Sequence, residues 1–175
     1  MALEVIGFIL VTAIIVVLVL AFRKPDQFRV SRSATYNATP DAIFEQVNNL
    51  RKGHQWSPWV EMDPGARYIF EGPDAGEGAT LHWEGKKSGK GTMAIVESRP
   101  DKLVRSSLHF LKPMDAKSTA DFIIDPLGDQ TKLTWAMYGP NNFMGKLMSV
   151  FINCEKMTGT QFAKGLENLR KVIEN

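Results

Sequence analysis

The stretch from Val5 to Phe22 limits the possible structures of this chain more than any other segment, because 16 of its 18 residues are apolar and none is charged. As an α-helix, which rises about 1.5 Å per residue, it is about 27 Å long, close to the roughly 30 Å hydrocarbon core of a bilayer. A helix buried in a soluble domain seldom runs this far without a polar face. We therefore predict one transmembrane helix within an N-terminal anchor of residues 1–24.

The flanks of this run favour a retained anchor over a cleaved signal peptide. A signal peptide has a basic start, a shorter apolar region and a small-residue cleavage site, whereas here Glu4 precedes the run and Arg23 and Lys24 follow it. Arg29 and Arg32 also follow, and no Lys or Arg precedes the run. The positive-inside rule then predicts a single-pass membrane protein whose C-terminal domain lies in the cytoplasm.

The remaining residues, 25–175, have the composition of one soluble domain. The chain has 21 basic and 19 acidic side chains, so its net charge of +2 gives no reason to expect a nucleic acid partner. One cysteine excludes a disulfide framework and zinc sites made of paired cysteines. His54, His82 and His109 lack the spacing of metal ligands, so we expect neither a metal nor another cofactor.

Alternating apolar and polar residues predict β-strands along most of the domain. A first strand, 27–36, leads into a helix that begins after Thr39, has a proline in its first turn and ends at 52–53. After a loop around residues 56–59, six more strands are predicted at 67–71, 78–84, 91–98, 102–111, 117–125 and 130–138. Their hairpin spacing indicates an antiparallel sheet.

After Gly139-Pro140 the period of apolar residues changes from two to 3.6, which predicts one C-terminal helix of roughly thirty residues. Its apolar stripe runs from Phe143 to Ile173 and includes Cys154, so we expect that thiol to be buried and inert. Glycine weakens a helix and has no side chain, so we expect either a bend or a close approach to the sheet at Thr158-Gly159-Thr160.

Short motifs accompany this order of elements across about residues 27–173. They are Ala38-Thr39-Pro40-Asp41-Ala42-Ile43-Phe44, Trp56-Ser57-Pro58-Trp59, Gly76-Glu77-Gly78-Ala79, Trp83-Glu84-Gly85, Leu133-Thr134-Trp135 and Gly165-Leu166-Glu167-Asn168-Leu169. With them the chain resembles the SRPBCC or START-like superfamily, in particular its polyketide cyclase/dehydrase-like branch, to which the anchor is an addition. The resemblance implies an α+β helix-grip fold, in which a seven-stranded antiparallel sheet wraps around the long C-terminal helix and encloses a largely apolar cavity. It assigns no catalytic residues, because this fold hosts transfer proteins, cyclases, hydratases and binders.

Large or flexible apolar side chains lie on the elements expected to face this cavity. They are Trp56, Trp59, Trp83, Met93, Phe110, Phe122, Trp135 and Met137 in the loop and strands, and Met144, Met148, Phe151 and Met157 on the helix. Such spaces bind apolar ligands through a few polar contacts, and methionine adapts to varied shapes. Any one of these residues can equally fill a core. The prediction therefore concerns the cavity as a whole.

His82 and Glu84 are the first candidates for acid–base catalysis, provided that their face of the strand points into the cavity. Alternation places them opposite Leu81 and Trp83. Because the face that carries a tryptophan is usually the inner one, the pattern favours His82 and Glu84 in solvent.

Three functions remain open at this point. The leading one is membrane-tethered binding or transfer of a hydrophobic small molecule or lipid in the cavity, with the bilayer as a second partner. The first alternative is a cyclase or dehydrase-type enzyme that uses polar cavity residues. The second alternative is a tethered interaction module without a ligand, which predicts a closed pocket and an exposed apolar patch.

Overall fold

A computed structural model describes residues 2–174, with side chains from residue 4 onward. The helices are α1 (Ala2–Phe22), α2 (Pro40–Asn48), α3 (Leu50–Trp56), α4 (Pro58–Met62), α5 (Phe143–Phe151) and α6 (Cys154–Ile173). The strands are β1 (Gln27–Tyr36), β2 (Arg67–Glu71), β3 (Thr80–Gly85), β4 (Gly89–Arg99), β5 (Leu103–Lys112), β6 (Ala116–Leu127) and β7 (Gln130–Pro140).

Helix α1 contains the apolar run and is a candidate membrane span. Its segment Glu4–Phe22 has a mean hydropathy of 3.2, and only 6% of it is buried. At its C-terminal end α1 contacts α5, where the rings of Phe22 and Phe143 have centroids 5.6 Å apart. Ala21, in the last turn of α1, is fully buried.

The seven strands form one antiparallel sheet in the order β1-β7-β6-β5-β4-β3-β2. β1, the first strand, pairs with β7 along its whole length, from Gln27 opposite Pro140 to Tyr36 opposite Thr131. The β4–β5 register shifts at two places, and such irregularities bend and twist a sheet. The predicted seven-stranded antiparallel sheet and helix-grip architecture are confirmed.

The core lies between the sheet and helix α6. Tyr36, Leu133, Phe162 and Leu169 are among its most completely buried side chains. The hydroxyl of Tyr36 donates a hydrogen bond of 2.8 Å to the carbonyl of Leu166, which ties β1 to α6. This bond satisfies a buried phenol that would otherwise cost stability.

The C-terminal helix differs from the prediction because it is interrupted at Ile152 and Asn153. The side chain of Asn153 accepts a hydrogen bond of 2.9 Å from the backbone N–H of Lys156 and so caps a new helix. Of the two outcomes expected at Gly159, the structure shows the close approach to the sheet, because Gly159 is buried and a Cβ atom there would lie 2.1 Å from Nη2 of Arg32 in β1. The expected burial of Cys154 is wrong, because this thiol is exposed at the start of α6.

The first helical region is also divided more finely than predicted. α2 ends at Asn48, and the side chain of Asn49 accepts hydrogen bonds from the N–H groups of Arg51 and Lys52 to start α3. The segment expected as a loop at residues 56–59 contains the end of α3 and the start of α4. These short helices cover one side of the interior that the sheet leaves open.

Candidate functional site: an apolar cavity

The sheet, the short helices α3 and α4, and α6 enclose a cavity of about 440 Å³. Sites for small molecules usually measure about 300–1,000 Å³, so this space can hold one. An interaction module without a ligand was expected to have a closed pocket. The cavity differs from that expectation.

Strand alternation builds the largest wall of the cavity. Successive inward-facing side chains of β3 to β7 are Leu81, Trp83, Met93, Leu108, Phe110, Ala120, Phe122, Trp135 and Met137. Within the β6–β7 pair, Phe122 lies opposite Trp135 and Ala120 lies opposite Met137, so neighbouring strands contribute to one surface. The wall is almost entirely hydrocarbon and aromatic ring.

Trp135 is the centre of an aromatic cluster in this wall. Its ring stacks on Phe162 of α6 at a centroid distance of 4.2 Å, and it lies 5.0 Å from Phe122 and 5.8 Å from Trp56. Aromatic pairs at such separations are stabilised beyond their burial. Contacts on several sides fix the Trp135 ring in the cavity wall.

Trp83 reaches the wall because a glycine lies opposite it. Trp83 pairs with Gly91 of β4, and a Cβ atom on Gly91 would lie 2.3 Å from Cζ2 of the indole. The indole N–H donates a hydrogen bond of 3.2 Å to the carbonyl of Ser88. The indole therefore lies across the backbone of β4.

Asp63 fixes the β3–β4 hairpin, which contributes Lys87 and Ser88 to the cavity wall. One oxygen of this buried carboxylate, Oδ2, accepts hydrogen bonds from the N–H of Lys87 at 2.8 Å and from the N–H and hydroxyl of Ser88, both at 2.9 Å. These bonds favour the charged form and lower the pKa of Asp63, most strongly through the N–H of Ser88.

His54 and Tyr68 bring polar groups to the cavity. Their rings meet edge to face at a centroid distance of 4.4 Å. Burial lowers the pKa of the His54 imidazole and raises the pKa of the Tyr68 phenol, with the charge of Asp63 adding to the latter shift. Both rings are therefore uncharged at neutral pH, and together they offer a proton acceptor and a proton donor.

Three buried polar atoms of cavity residues lack a hydrogen-bond partner among the described residues: Trp56 Nε1, the Tyr68 hydroxyl and Gln161 Oε1. Sequence reasoning missed His54, Tyr68 and Gln161 as cavity residues. A signal for His54 was available, because Leu50, Gly53 and His54 share one face of α3 at helical spacing.

The structure places most of the predicted cavity residues in the wall: Trp56, Trp59, Trp83, Met93, Phe110, Phe122, Trp135, Met137 and Met157. The prediction is wrong for Met144, Met148 and Phe151, which lie on α5 and are exposed. The break at 152–153 separates α5 from α6, so the apolar residues of α5 do not reach the cavity.

His82 and Glu84 lie outside the cavity wall, as the alternation of β3 favoured, so the condition for their acid–base role is not met. Nδ1 of His82 lies 2.9 Å from Oγ1 of Thr92, and its Nε2 lies 3.2 Å from Oε2 of Glu71. Glu84 pairs with Lys90 at 3.0 Å. Their neighbours Leu81 and Trp83 face the cavity, so alternation puts His82 and Glu84 on the outer face.

Among the described residues, no three His, Cys, Asp or Glu side chains come close enough together to hold a metal ion. The site is thus an aromatic and aliphatic cavity with a neutral His–Tyr pair, within a sheet that closes on a terminal helix. This combination defines an internal-cavity domain of the helix-grip class.

Residues 27–174 match the family described as polyketide cyclase / dehydrase and lipid transport. The chain belongs to this family, and the match covers nearly all of the domain that follows α1. No protein with a curated description is similar to the chain by sequence.

Solved structures share the fold at low sequence identity. A protein from Chromobacterium violaceum is 16% identical, with 87% of this chain and 99% of that one covered and a TM-score of 0.60. A protein from Rhizobium loti is 19% identical, with 83% and 96% covered and a TM-score of 0.59. A protein in the dynemicin biosynthetic locus is 13% identical, with 85% of this chain but 47% of that one covered and a TM-score of 0.59. These likenesses show the fold.

Proposed function

We propose that this protein binds a hydrophobic small molecule or lipid in its cavity while α1 holds the domain at a membrane. The observation that carries the proposal is the cavity of about 440 Å³ with its almost wholly apolar wall. Removing apolar surface from water stabilises a bound ligand by about 25 cal/mol per Å², so such a wall selects apolar molecules. The family description, which includes lipid transport, agrees with this.

The short connection between α1 and the domain supports the membrane part of the proposal. The N–H of Asn141 donates to the carbonyl of Asp26 at 2.8 Å, and its side-chain amide donates to the carbonyl of Pro25 at 3.1 Å. These bonds fix the chain directly after α1 to the end of β7. A domain held this closely to a span stays beside the bilayer from which an apolar ligand is drawn.

The test is ligand binding by the full chain in detergent micelles. Solvent extraction followed by mass spectrometry identifies what co-purifies, and fluorescence of the cavity tryptophans reports its rebinding. We expect Ala120→Leu, which takes up part of the cavity beside Met137, to weaken binding by about tenfold or more. The matched control is Ala94→Leu, because Ala94 follows the inward-facing Met93 in β4 and is not in the cavity wall. Finding no extracted molecule and no saturable fluorescence change would overturn the proposal.

A second candidate, an enzyme of the cyclase or dehydrase type, is favoured by one observation: the contact between His54 and Tyr68 in the cavity. The uncharged imidazole can take a proton from a bound molecule, and the phenol can donate a hydrogen bond to a developing oxyanion. If so, His54→Gln and Tyr68→Phe should each slow conversion of the extracted compound by about a hundredfold or more while leaving its binding largely intact. An extracted compound that stays unchanged on prolonged incubation with the wild-type protein would contradict catalysis of its conversion.

A further inference from the structure

We infer that helix α5 lies in the surface of the bilayer and holds one edge of the cavity against lipid. The inference rests on the proposed function insofar as α1 must cross the membrane. It adds two features to that function: the orientation of the domain at the bilayer, and the route by which the ligand enters the cavity.

Helix α5 exposes its apolar residues and covers its charged one, the reverse of a helix that packs on a domain core. Phe143, Met144, Met148 and Phe151 are 45%, 49%, 39% and 70% exposed, and no residue of α5 is buried. In contrast, Lys146, the one charged residue of α5, has a side chain that is only 13% exposed and pairs with Asp26. A surface helix normally turns its apolar face inward and its charges outward. The outward apolar face of α5 is therefore a contact surface.

The position of α5 indicates that its exposed apolar face contacts the bilayer. Phe22, the last residue of α1, has its ring centroid 5.6 Å from that of Phe143, the first residue of α5. The 21 residues of α1 extend about 32 Å, which matches the hydrocarbon core, so a spanning α1 places Phe22 at its boundary. Amphipathic helices in the bilayer surface bury their apolar face about 5–10 Å into the boundary between headgroups and acyl chains. Arg23 and Lys24 follow at headgroup level, where they suit anionic lipids.

The same surface leads to the cavity. α5 is followed by Ile152, which is 41% exposed, and then by the first turn of α6. Met157 in α6 lines the cavity although it is 60% exposed, so it lies at the cavity's edge. With α5 in the bilayer surface, this edge faces lipid. An apolar molecule can then enter the cavity from the membrane without crossing water.

The experiment uses Cys154, the one cysteine of the chain, which is exposed at the start of α6. The full chain is labelled there with a small fluorophore and reconstituted in nanodiscs that contain lipids with a quencher near the headgroup. The control carries Cys154→Ala and Asp129→Cys, because Asp129 lies in the turn before β7 and α5 follows the other end of that strand, roughly 33 Å away. We expect strong quenching at Cys154 and little at position 129. Equal quenching at the two positions would overturn the inference.

A double variant that places two charges on α5 tests whether the ligand enters the cavity from the membrane. Met148→Asp with Phe151→Asp should slow ligand transfer from vesicles to the nanodisc-bound protein by about tenfold or more, since both side chains lose their burial in lipid. Val96→Asp with Leu127→Asp is the matched control, because these residues are 51% and 50% exposed but lie on the sheet. We expect the same binding affinity in detergent for all these variants.

The outcomes separate this inference from the proposed function. Ligand binding in detergent without quenching at Cys154 would overturn only the inference, as would cross-linking of Cys154 between two copies in one nanodisc. Lipid quenching at Cys154 in a protein that binds no ligand would overturn the proposed function and leave the surface position of α5 standing.

Discussion

The indole of Trp135 stacks on the phenyl ring of Phe162, with centroids 4.2 Å apart and planes inclined by 7°. Trp135 belongs to β7 and Phe162 to α6, so this contact joins the sheet to the terminal helix at the cavity wall. One turn further along α6, a Cβ atom on Gly165 would lie 2.7 Å from Cζ3 of Trp135 and 3.0 Å from Cδ of Pro58. The helix can approach the indole this closely because residue 165 has no side chain.

Gly165→Ala should destabilise the domain. The added methyl group meets the Trp135 ring and Pro58, both held by their own packing, and overpacking of this kind costs about 1–3 kcal/mol in the free energy of unfolding. Denaturant titration in detergent micelles, followed by tryptophan fluorescence, measures the loss.

Gly159→Ala is the matched control in the same helix. The three atoms nearest to a Cβ atom there all belong to the guanidinium of Arg32, the far end of a flexible side chain that also pairs with Glu155. Arg32 can move, and alanine is about 1 kcal/mol better than glycine inside a helix. We expect stability near or above that of the wild type. Equal losses for the two variants would show that rigid contact with Trp135 is not the cause.

Asp63→Asn should lower the melting temperature at pH 7, because an amide is a weaker acceptor for the N–H groups of Lys87 and Ser88. The folded-state pKa of Asp63 is lowered below the unfolded value of about 3.9, so its contribution is present above that value and lost as pH falls through the folded pKa. The difference in melting temperature between variant and wild type should therefore vanish at low pH. A difference that stays constant from pH 7 to pH 2 would contradict this.

His54→Gln should flatten the pH dependence of stability in the weakly acidic range. The folded-state pKa of His54 is lowered by burial below the unfolded value of about 6.5, so the unfolded chain binds more protons as pH falls past that value. The wild-type domain should lose stability on acidification from about pH 6.5, whereas the variant should lose less. Melting temperatures between pH 5 and pH 8 provide the measurement. If the melting temperatures of the two proteins fell in parallel with pH, a group other than His54 would be responsible for the pH dependence of stability.

The orientation of the domain follows from the charges after α1 and remains a prediction. A protein with Cys154→Ala and Asp129→Cys should react with a membrane-impermeant maleimide only after the cells are permeabilised, because Arg23 and Lys24 favour the cytoplasmic side. Labelling of intact cells would show the reverse topology.

The strands and much of the cavity wall were predictable because both depend on local alternation. In β3, the period of two alone separates Leu81 and Trp83 from His82 and Glu84, and the tryptophan indicates the inner face. The C-terminal region was less predictable, because the apolar period of 3.6 continues through residues 152–153. Asn153 caps a new helix within this unbroken pattern, so the pattern could not show that α5 departs from the sheet.

The contacts between the polar groups of the site were not predictable, since they join residues that are distant in sequence. His54 and Tyr68 meet because α3 covers the sheet beside β2, and Asp63 holds a hairpin more than twenty residues later in the chain. No local pattern encodes these separations.

Local patterns predicted the apolar N-terminal helix, the seven strands and the inward-facing side chains of those strands, because each follows from the spacing of apolar residues along one element. The packing of the elements on one another sets three further features: a cavity lies beside Trp135, His54 meets Tyr68 in its wall, and α5 turns its apolar face outward. Those features depend on how closely α6 approaches the sheet and on the position of Asn153, which caps the N-terminus of α6. Distances between elements are set by packing of the whole domain, which no single segment specifies.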